Sequence, residues 1–277
     1  MTDRASMPLI DAMHTHNDKL IGARKPWSGP VRVAVLLLAM VVTIVVLHLL
    51  TQWMMNRSAF ESIVRHDLPT YRLRYRLLNI DREMSLPAWF SSTLLCGVGL
   101  SMWLAAWVHR VRKDKGVLGW LVLGLFFVGL SLDESAAIHE VLVPRAQAML
   151  GEHATGVLFY AWYVPVLVLC SILLIVLWPF LRSLPRRTFW LLGLGVAVYL
   201  CGAVFFEALM GMAVEPSGVD EPPLQNPPLR MVALLVMEEG LEMVGITMLL
   251  FAMLDYLSPR LRLQVVSADV APAGEQG

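Results

Sequence analysis

Six carboxylates lie within or at the ends of stretches that are otherwise apolar enough to span a membrane. The same stretches contain no Lys or Arg. An ionised side chain near the centre of a bilayer costs at least ~2.5 kcal/mol, so acids at such positions indicate a functional site. The six are Asp133, Glu134, Glu207, Glu238, Glu239 and Glu242. We expect the chemistry of the chain to reside there.

Carboxylates supplemented by imidazole groups are suitable ligands for Fe, Mn or Zn. We therefore expect a divalent metal ion at these acids, with Fe, Mn and Zn as the leading candidates. The expected core ligands are Glu134, Glu207, Glu238 and Glu242; His48 and His139 are candidate nitrogen ligands, and Asp133, Glu239 and Glu140 are second choices. Such a site would support oxidative or hydrolytic chemistry on a lipid or another membrane-associated substrate.

Helical geometry tests whether these side chains can meet, because each residue turns an α-helix by ~100°. Glu238, Glu239 and Glu242 then fall on one face, within an arc of ~100°. His139 would point about 120° away from Asp133 in a regular helix. It can join the acids only if the helix is distorted between these two residues.

The paired acids resemble the ligand motifs of helical bundles that bind two metal ions, in which Glu residues from two helices face Glu-x-x-His motifs from two others. The resemblance is carried by Asp133-Glu134, His139-Glu140 and Glu238-Glu239-Gly-Leu-Glu242. No Glu-x-x-His occurs in the chain. The donor set is rich in carboxylate and poor in histidine, which leaves Mn, Mg and Ca open as well.

Several acids in a low-dielectric site must be neutralised, because like charges repel strongly there. Bound metal cations, shared protons, or arginines from an outer loop and Arg230 would each do so. Shared protons or mobile cations would make the protein a cation or proton translocator, and arginine pairing would make the acids structural contacts. No acid continues the series into the inner half of the spans, since Asp255 lies at the inner interface. That pattern favours a site over a transport path.

The composition places these acids in a membrane. The chain has 277 residues, of which 57% are hydrophobic and only 16% are charged. Average globular chains carry ~25% charged residues. We therefore expect membrane lipids as partners and no nucleic acid, with a lipid substrate or a transported cation at the acids.

We predict an all-α, multipass transmembrane helical bundle. Its six predicted spans are 33–52, 87–108, 117–140, 156–178, 189–212 and 231–256. Basic residues cluster after the second, fourth and sixth spans, which predicts that both termini lie in the cytoplasm of a bacterial-type inner membrane. The acids then lie in the outer half of the bilayer.

The remaining segments complete the predicted organisation. Residues 1–31 form a cytoplasmic tail, 32–257 the membrane domain, and 258–277 a disordered cytoplasmic tail. The membrane domain includes two outer loops, residues 54–86 and the Pro-rich residues 213–229. The first carries six arginines, for which we weigh headgroup contact against folding over the acids: Arg57, Arg65, Arg72, Arg74, Arg76 and Arg82.

Overall fold

The computed structural model describes residues 29–55, 77–80, 82–214 and 228–269. Within these ranges the secondary structure is helical, without a strand. The helices are α1 (Gly29–Met55), α2 (Leu86–Val111), α3 (Val117–Ala136), α4 (Ile138–Leu150), α5 (Tyr163–Ser183), α6 (Arg186–Leu200), α7 (Glu207–Val214) and α8 (Leu229–Asp269). The all-α prediction is confirmed for this part of the chain.

Five helical stretches in the described ranges are long and apolar enough to cross a membrane. They are α1, α2, α3, α5 and the stretch from α6 through α7. The predicted sixth span, residues 231–256, is present as the first part of α8, but α8 is not among the five. Its first half carries Glu238, Glu239 and Glu242, which lower its hydropathy. The protein is thus a helical chain with the composition of an integral membrane protein.

Helices α2 and α3 form a closely packed antiparallel pair. A Cβ on Gly99 would lie 2.8 Å from the backbone oxygen of Gly124, so only a residue without a side chain fits at this contact. Nearer the other end of the pair, the Ser92 hydroxyl donates to the backbone oxygen of Ser131 at 2.9 Å, and the Ser131 hydroxyl donates back to the oxygen of Ser92 at 2.8 Å. These contacts fix the position of the C-terminal end of α3, where two of the acids lie.

Helix α8 is the centre of the bundle and packs against α1, α2 and α6. Its side chains from Met243 to Met253 that face inward are almost completely inaccessible to solvent. A Cβ on Gly245 would lie 2.5 Å from the backbone nitrogen of Tyr199 in α6, so these two helices touch through their backbones. The α8 acids precede this apolar section and lie at one end of the bundle.

The third predicted span, residues 117–140, is interrupted. Helix α3 ends at Ala136, and Ala137 takes the left-handed conformation with φ 52° and ψ 41°. The amide of Ala137 donates to the Asp133 carbonyl and closes the helix end. Helix α4 then starts at Ile138 in a new direction. This break is the distortion that His139 needed in order to reach Asp133.

The other predicted spans differ from the observed helices at their ends. The fifth, residues 189–212, contains a π-helical segment, Cys201–Phe206, between α6 and α7. The fourth, predicted from 156, starts only at Tyr163, because Gly156–Leu158 form a 3₁₀ turn. Helix α8 continues beyond 257 to Asp269, so the first part of the tail that was predicted to be disordered is helical.

Some predictions concern residues outside the described ranges. They are the tail up to residue 28, most of the arginine-rich loop, the Pro-rich stretch 215–227 and the chain after 269. Of the six loop arginines, Arg82 is described. The antiparallel helices give the described bundle two distinct ends, one with the cluster of acids and one where basic residues cluster in the loops after α2 and α5.

Candidate functional site

A cavity of about 370 Å³ opens at the acidic end of the bundle. We call it the acidic cavity, and define it by the carboxylates on its wall: Glu83, Asp133, Glu134, Glu140, Glu207, Glu238, Glu239 and Glu242. The basic residues that line it in the described part of the chain are Arg82 and His139. All seven acids named from the sequence as candidate ligands therefore reach one cavity, from helices α3, α4, α7 and α8.

His139 is held between two carboxylates. Its Nδ1 lies 3.0 Å from Asp133 Oδ2, and its Nε2 lies 3.1 Å from Glu83 Oε1. Its backbone N–H also donates to Asp133 Oδ1 at 3.0 Å. Burial alone would lower the pKa of the imidazole, but the hydrogen bonds to Asp133 and Glu83 outweigh burial and raise this pKa from 6.5 to about 11.

His139, a candidate nitrogen ligand from the sequence, has a carboxylate oxygen beside each of its ring nitrogens. When the ring is doubly protonated, both of its nitrogens donate to these carboxylates, and neither then presents a lone pair to a metal ion. The imidazolium instead joins α4 to the end of α3 and to the segment before α2. A nitrogen would become available only if Glu83 moved away from Nε2, which would leave Asp133 as the residue that orients the ring.

Aromatic side chains form one wall of the cavity. The indole N–H of Trp162 donates to Glu207 Oε1 at 2.6 Å, and the Trp162 ring lies 4.8 Å from the His139 ring between centroids. Tyr160 and Tyr199 also line the cavity. Trp162 thereby fixes Glu207 on the wall.

Two of the acids stand out because they lack a hydrogen bond or ion pair within the described residues. Glu134 and Glu242 face the cavity and are only partly buried, yet neither makes a hydrogen bond or an ion pair with a described residue. The repulsion between them is strongest in a site with few surrounding waters. A cation bound between the two carboxylates would offset this repulsion.

The π-helical segment brings α8 close to the cavity wall. A Cβ on Gly202 would lie 2.5 Å from the backbone oxygen of Glu238 and 2.8 Å from Glu242 Cγ. Glu207 follows this segment directly as the first residue of α7. Such segments are rare in helices and frequently lie at functional sites. Here the segment sets the position of Glu207 relative to the α8 acids.

His48 is not brought into the cavity. It is 1% exposed, and its Nδ1 accepts a hydrogen bond from the Ile80 amide at 3.3 Å. Ile80 itself lines the cavity, whereas His48 does not. His48 is therefore next to a residue of the cavity wall but is not itself part of the wall.

Sequence reasoning named neither Glu83 nor the aromatic wall as part of the site. Glu83 lies in an irregular segment before Pro87, where no helical periodicity points to a partner. The one available signal was the charged pair Arg82-Glu83 directly before an apolar span. Folding of loop arginines over the acids was one option, and Arg82 does line the cavity. Arg230 instead donates to the Ala213 oxygen at 3.4 Å.

The side chains as placed do not form a closed metal cage. Among the residues that the structure describes, no group of three or more His, Cys, Asp or Glu side chains is arranged to hold a metal ion. The acids surround a space instead of converging on a point. Such a space suits a cation that keeps part of its water shell, as Mg²⁺ does in proteins.

Comparison with known proteins gives a family but no activity. Residues 31–257 match a family described as a domain of unknown function, DUF8692. No curated protein and no solved structure matches the chain. The family match extends from α1 into α8 and includes every residue of the acidic cavity. The chain therefore belongs to the DUF8692 family, whose function is unknown.

Proposed function

We propose that the acidic cavity binds a divalent metal cation and that the protein is a metal-dependent membrane enzyme acting on a lipid or another membrane-associated substrate. The observation that supports this proposal is the charge on the cavity wall. Eight carboxylates share the cavity with Arg82 and His139, and Glu134 and Glu242 have no hydrogen-bonding partner in the described chain. A bound cation would activate a water molecule or polarise a substrate oxygen.

The available donors favour a cation that prefers oxygen. Because both nitrogens of His139 lie against carboxylates, most of the donors left on the wall are carboxylate oxygens. Oxygen donors suit Mn²⁺, Mg²⁺ and Ca²⁺, whereas Zn²⁺ prefers nitrogen and sulfur. The cavity is also larger than a single ion requires. It leaves room for bound water and for part of a substrate, at a size typical of small-molecule sites.

The apolar rim supports a substrate that enters from the bilayer. Met84 and Leu86 follow Glu83 along the chain, and Ile138 precedes His139. Met84 is 76% exposed, and Leu86 and Ile138 are also exposed. Exposed apolar side chains beside a charged cavity match an amphiphile with a polar head and an apolar tail. We place the cavity in the outer half of the bilayer, because the basic residues lie at the opposite end of the bundle.

A transport path is less well supported than a site. Below the acids, α8 continues with Met243, Ile246 and Leu249, which are at most 1% exposed. These buried apolar side chains follow the acids along α8 and offer no station for a cation or proton. We therefore expect proteoliposomes containing the protein to show no Mn²⁺ flux above that of empty liposomes. A flux that disappears with Glu207→Gln would instead identify a translocator.

Manganese binding tests the proposal. Free Mn²⁺ gives an electron paramagnetic resonance signal that is lost on binding, so titration of the protein in nanodiscs counts bound ions. We expect saturable binding of at least one Mn²⁺ for each chain, with competition by Mg²⁺ or Ca²⁺. Glu152→Gln is the matched control, because Glu152 is exposed and does not line the cavity. No saturable binding to the wild-type protein would refute the metal site.

A further inference from the structure

The end of the bundle opposite the acidic cavity is basic. We call it the basic end, and define it by Arg110, Arg112, Lys113, Lys115, Arg182, Arg186, Arg187 and Arg260. Two described acids lie near these basic residues. They are Asp114 in the loop after α2 and Asp255, whose carboxylate pairs with Arg187 at 2.8 Å. The basic end thus retains several cationic groups beyond those that are paired with these acids.

Arg112 and Arg260 are held in place by backbone oxygens. Arg112 Nη2 donates to the Arg260 oxygen at 2.7 Å, and Arg260 Nη1 donates to the Tyr256 oxygen at 2.6 Å. The Arg260 guanidinium also lies over the Tyr256 ring, 3.6 Å from its centroid. Two guanidinium groups, one after α2 and one on α8, are therefore positioned around the same tyrosine.

The surrounding contacts make this arrangement rigid. The Tyr256 hydroxyl and His109 Nε2 are hydrogen-bonded at 2.6 Å, and His109 Nδ1 lies 3.0 Å from the Lys115 oxygen. This chain of bonds ties the loop after α2 to α8. Neither Arg112 nor Arg260 forms an ion pair with a described residue. Their positions are fixed by neutral groups, and their charges stay available to an anion.

The location of the pair indicates which anion it meets. Arg112 directly follows Val111, the last residue of a stretch that is able to cross a membrane. Arg182 and Arg186 likewise lie at or beside the ends of such stretches. These ends are at the level of lipid headgroups. A guanidinium group can donate two parallel hydrogen bonds to two oxygens of one phosphate. We propose that Arg112 and Arg260 bind the phosphate of an anionic phospholipid headgroup.

Lipid retention measures this site directly. The protein is purified from mixed phosphatidylglycerol and phosphatidylcholine nanodiscs into a mild detergent, and native mass spectrometry counts the lipids that remain bound. We expect phosphatidylglycerol to be retained about tenfold over phosphatidylcholine. The double variant Arg112→Gln with Arg260→Gln is expected to lose this preference. The matched control, Arg145→Gln with Arg230→Gln, removes the same charge at the cavity end and is expected to keep it.

Three further measurements make the result decisive. Melting in phosphatidylcholine alone shows whether the double variant folds, and Arg112→Lys replaces it if it does not. Lys keeps the positive charge but cannot form the bidentate hydrogen bonds of Arg, so we expect a smaller preference for phosphatidylglycerol. Displacement of the lipid by inorganic phosphate would indicate a site for soluble phosphate and overturn the lipid assignment. Equal loss of preference in the Arg145/Arg230 control would also overturn it.

Discussion

Replacing Glu134 and Glu242 together by Gln is expected to raise the melting temperature in the presence of a chelator and to lower Mn²⁺ affinity about 100-fold. Both effects have one cause. The two carboxylates face the acidic cavity without a hydrogen-bonding partner among the described residues, so without a cation the neighbouring carboxylates repel them, and the His139 imidazolium offsets part of this repulsion. We expect a gain of about 2–4 °C, which corresponds to about 1 kcal/mol in a chain of this size. Thermal unfolding with chelator and with Mn²⁺ measures both effects.

The explanation requires that the double variant gains stability over the wild-type protein in chelator and loses this advantage in Mn²⁺. Mn²⁺ should raise the melting temperature of the wild-type protein and leave the double variant almost unchanged, because a ligand stabilises the state that binds it. Glu152→Gln should behave like the wild-type protein in both conditions. Equal stabilisation of the double variant and the wild-type protein by Mn²⁺ would show that these two carboxylates are not ligands.

Gly202→Ala is expected to destabilise the protein by about 1–3 kcal/mol and to weaken Mn²⁺ binding. The new methyl group would lie 2.5 Å from the backbone oxygen of Glu238 and 3.0 Å from the backbone nitrogen of Glu242. Backbone atoms cannot rotate away as a flexible side chain can. Helix α8 would have to move, and its acids would move with it. Chemical unfolding and the Mn²⁺ titration together measure this prediction.

Gly193→Ala is the control for this substitution, since it lies in the preceding helix α6 and a Cβ there meets nothing within 4 Å. An alanine inside a helix is more favourable than glycine by about 0.5–1 kcal/mol, so this variant should be slightly more stable than the wild type. If Gly202→Ala were as harmless as Gly193→Ala, the close approach of α8 to the π-helical segment would not position the acids.

The convergence of the acids could be predicted because hydropathy and helical periodicity are local properties. Glu238, Glu239 and Glu242 share a face at their spacing in any regular helix. Their approach to Asp133 and Glu207 followed from the depth of each residue along antiparallel helices. These arguments need no knowledge of how the helices pack.

The position of His139 required more than periodicity. It depends on the left-handed Ala137, a conformation that non-glycine residues rarely adopt. Nothing in the sequence Ser135-Ala136-Ala137 signals a helix end, because alanine favours helix. The sequence shows that His139 can join the acids only if the helix breaks after Asp133. Whether the helix breaks there depends on tertiary contacts.

Other parts of the site arise from contacts between segments that are distant in sequence. Glu83 meets His139 across the cavity, and no spacing rule links an irregular segment to a helix start. The π-helical segment before Glu207 also lacks a sequence signature. His139 is a candidate nitrogen ligand from the sequence, and the sequence did not indicate that the carboxylates of Glu83 and Asp133 lie close to both of its ring nitrogens.

Anomalous X-ray scattering from crystals grown with Mn²⁺ tests the central claim most directly. The account predicts an anomalous peak inside the acidic cavity, bound directly or through water to Glu134 and Glu242. The peak should be lost when both residues are replaced by Gln, while the cavity stays intact. A cavity without a Mn²⁺ peak at saturating Mn²⁺, or a peak that persists in the double variant, would contradict it.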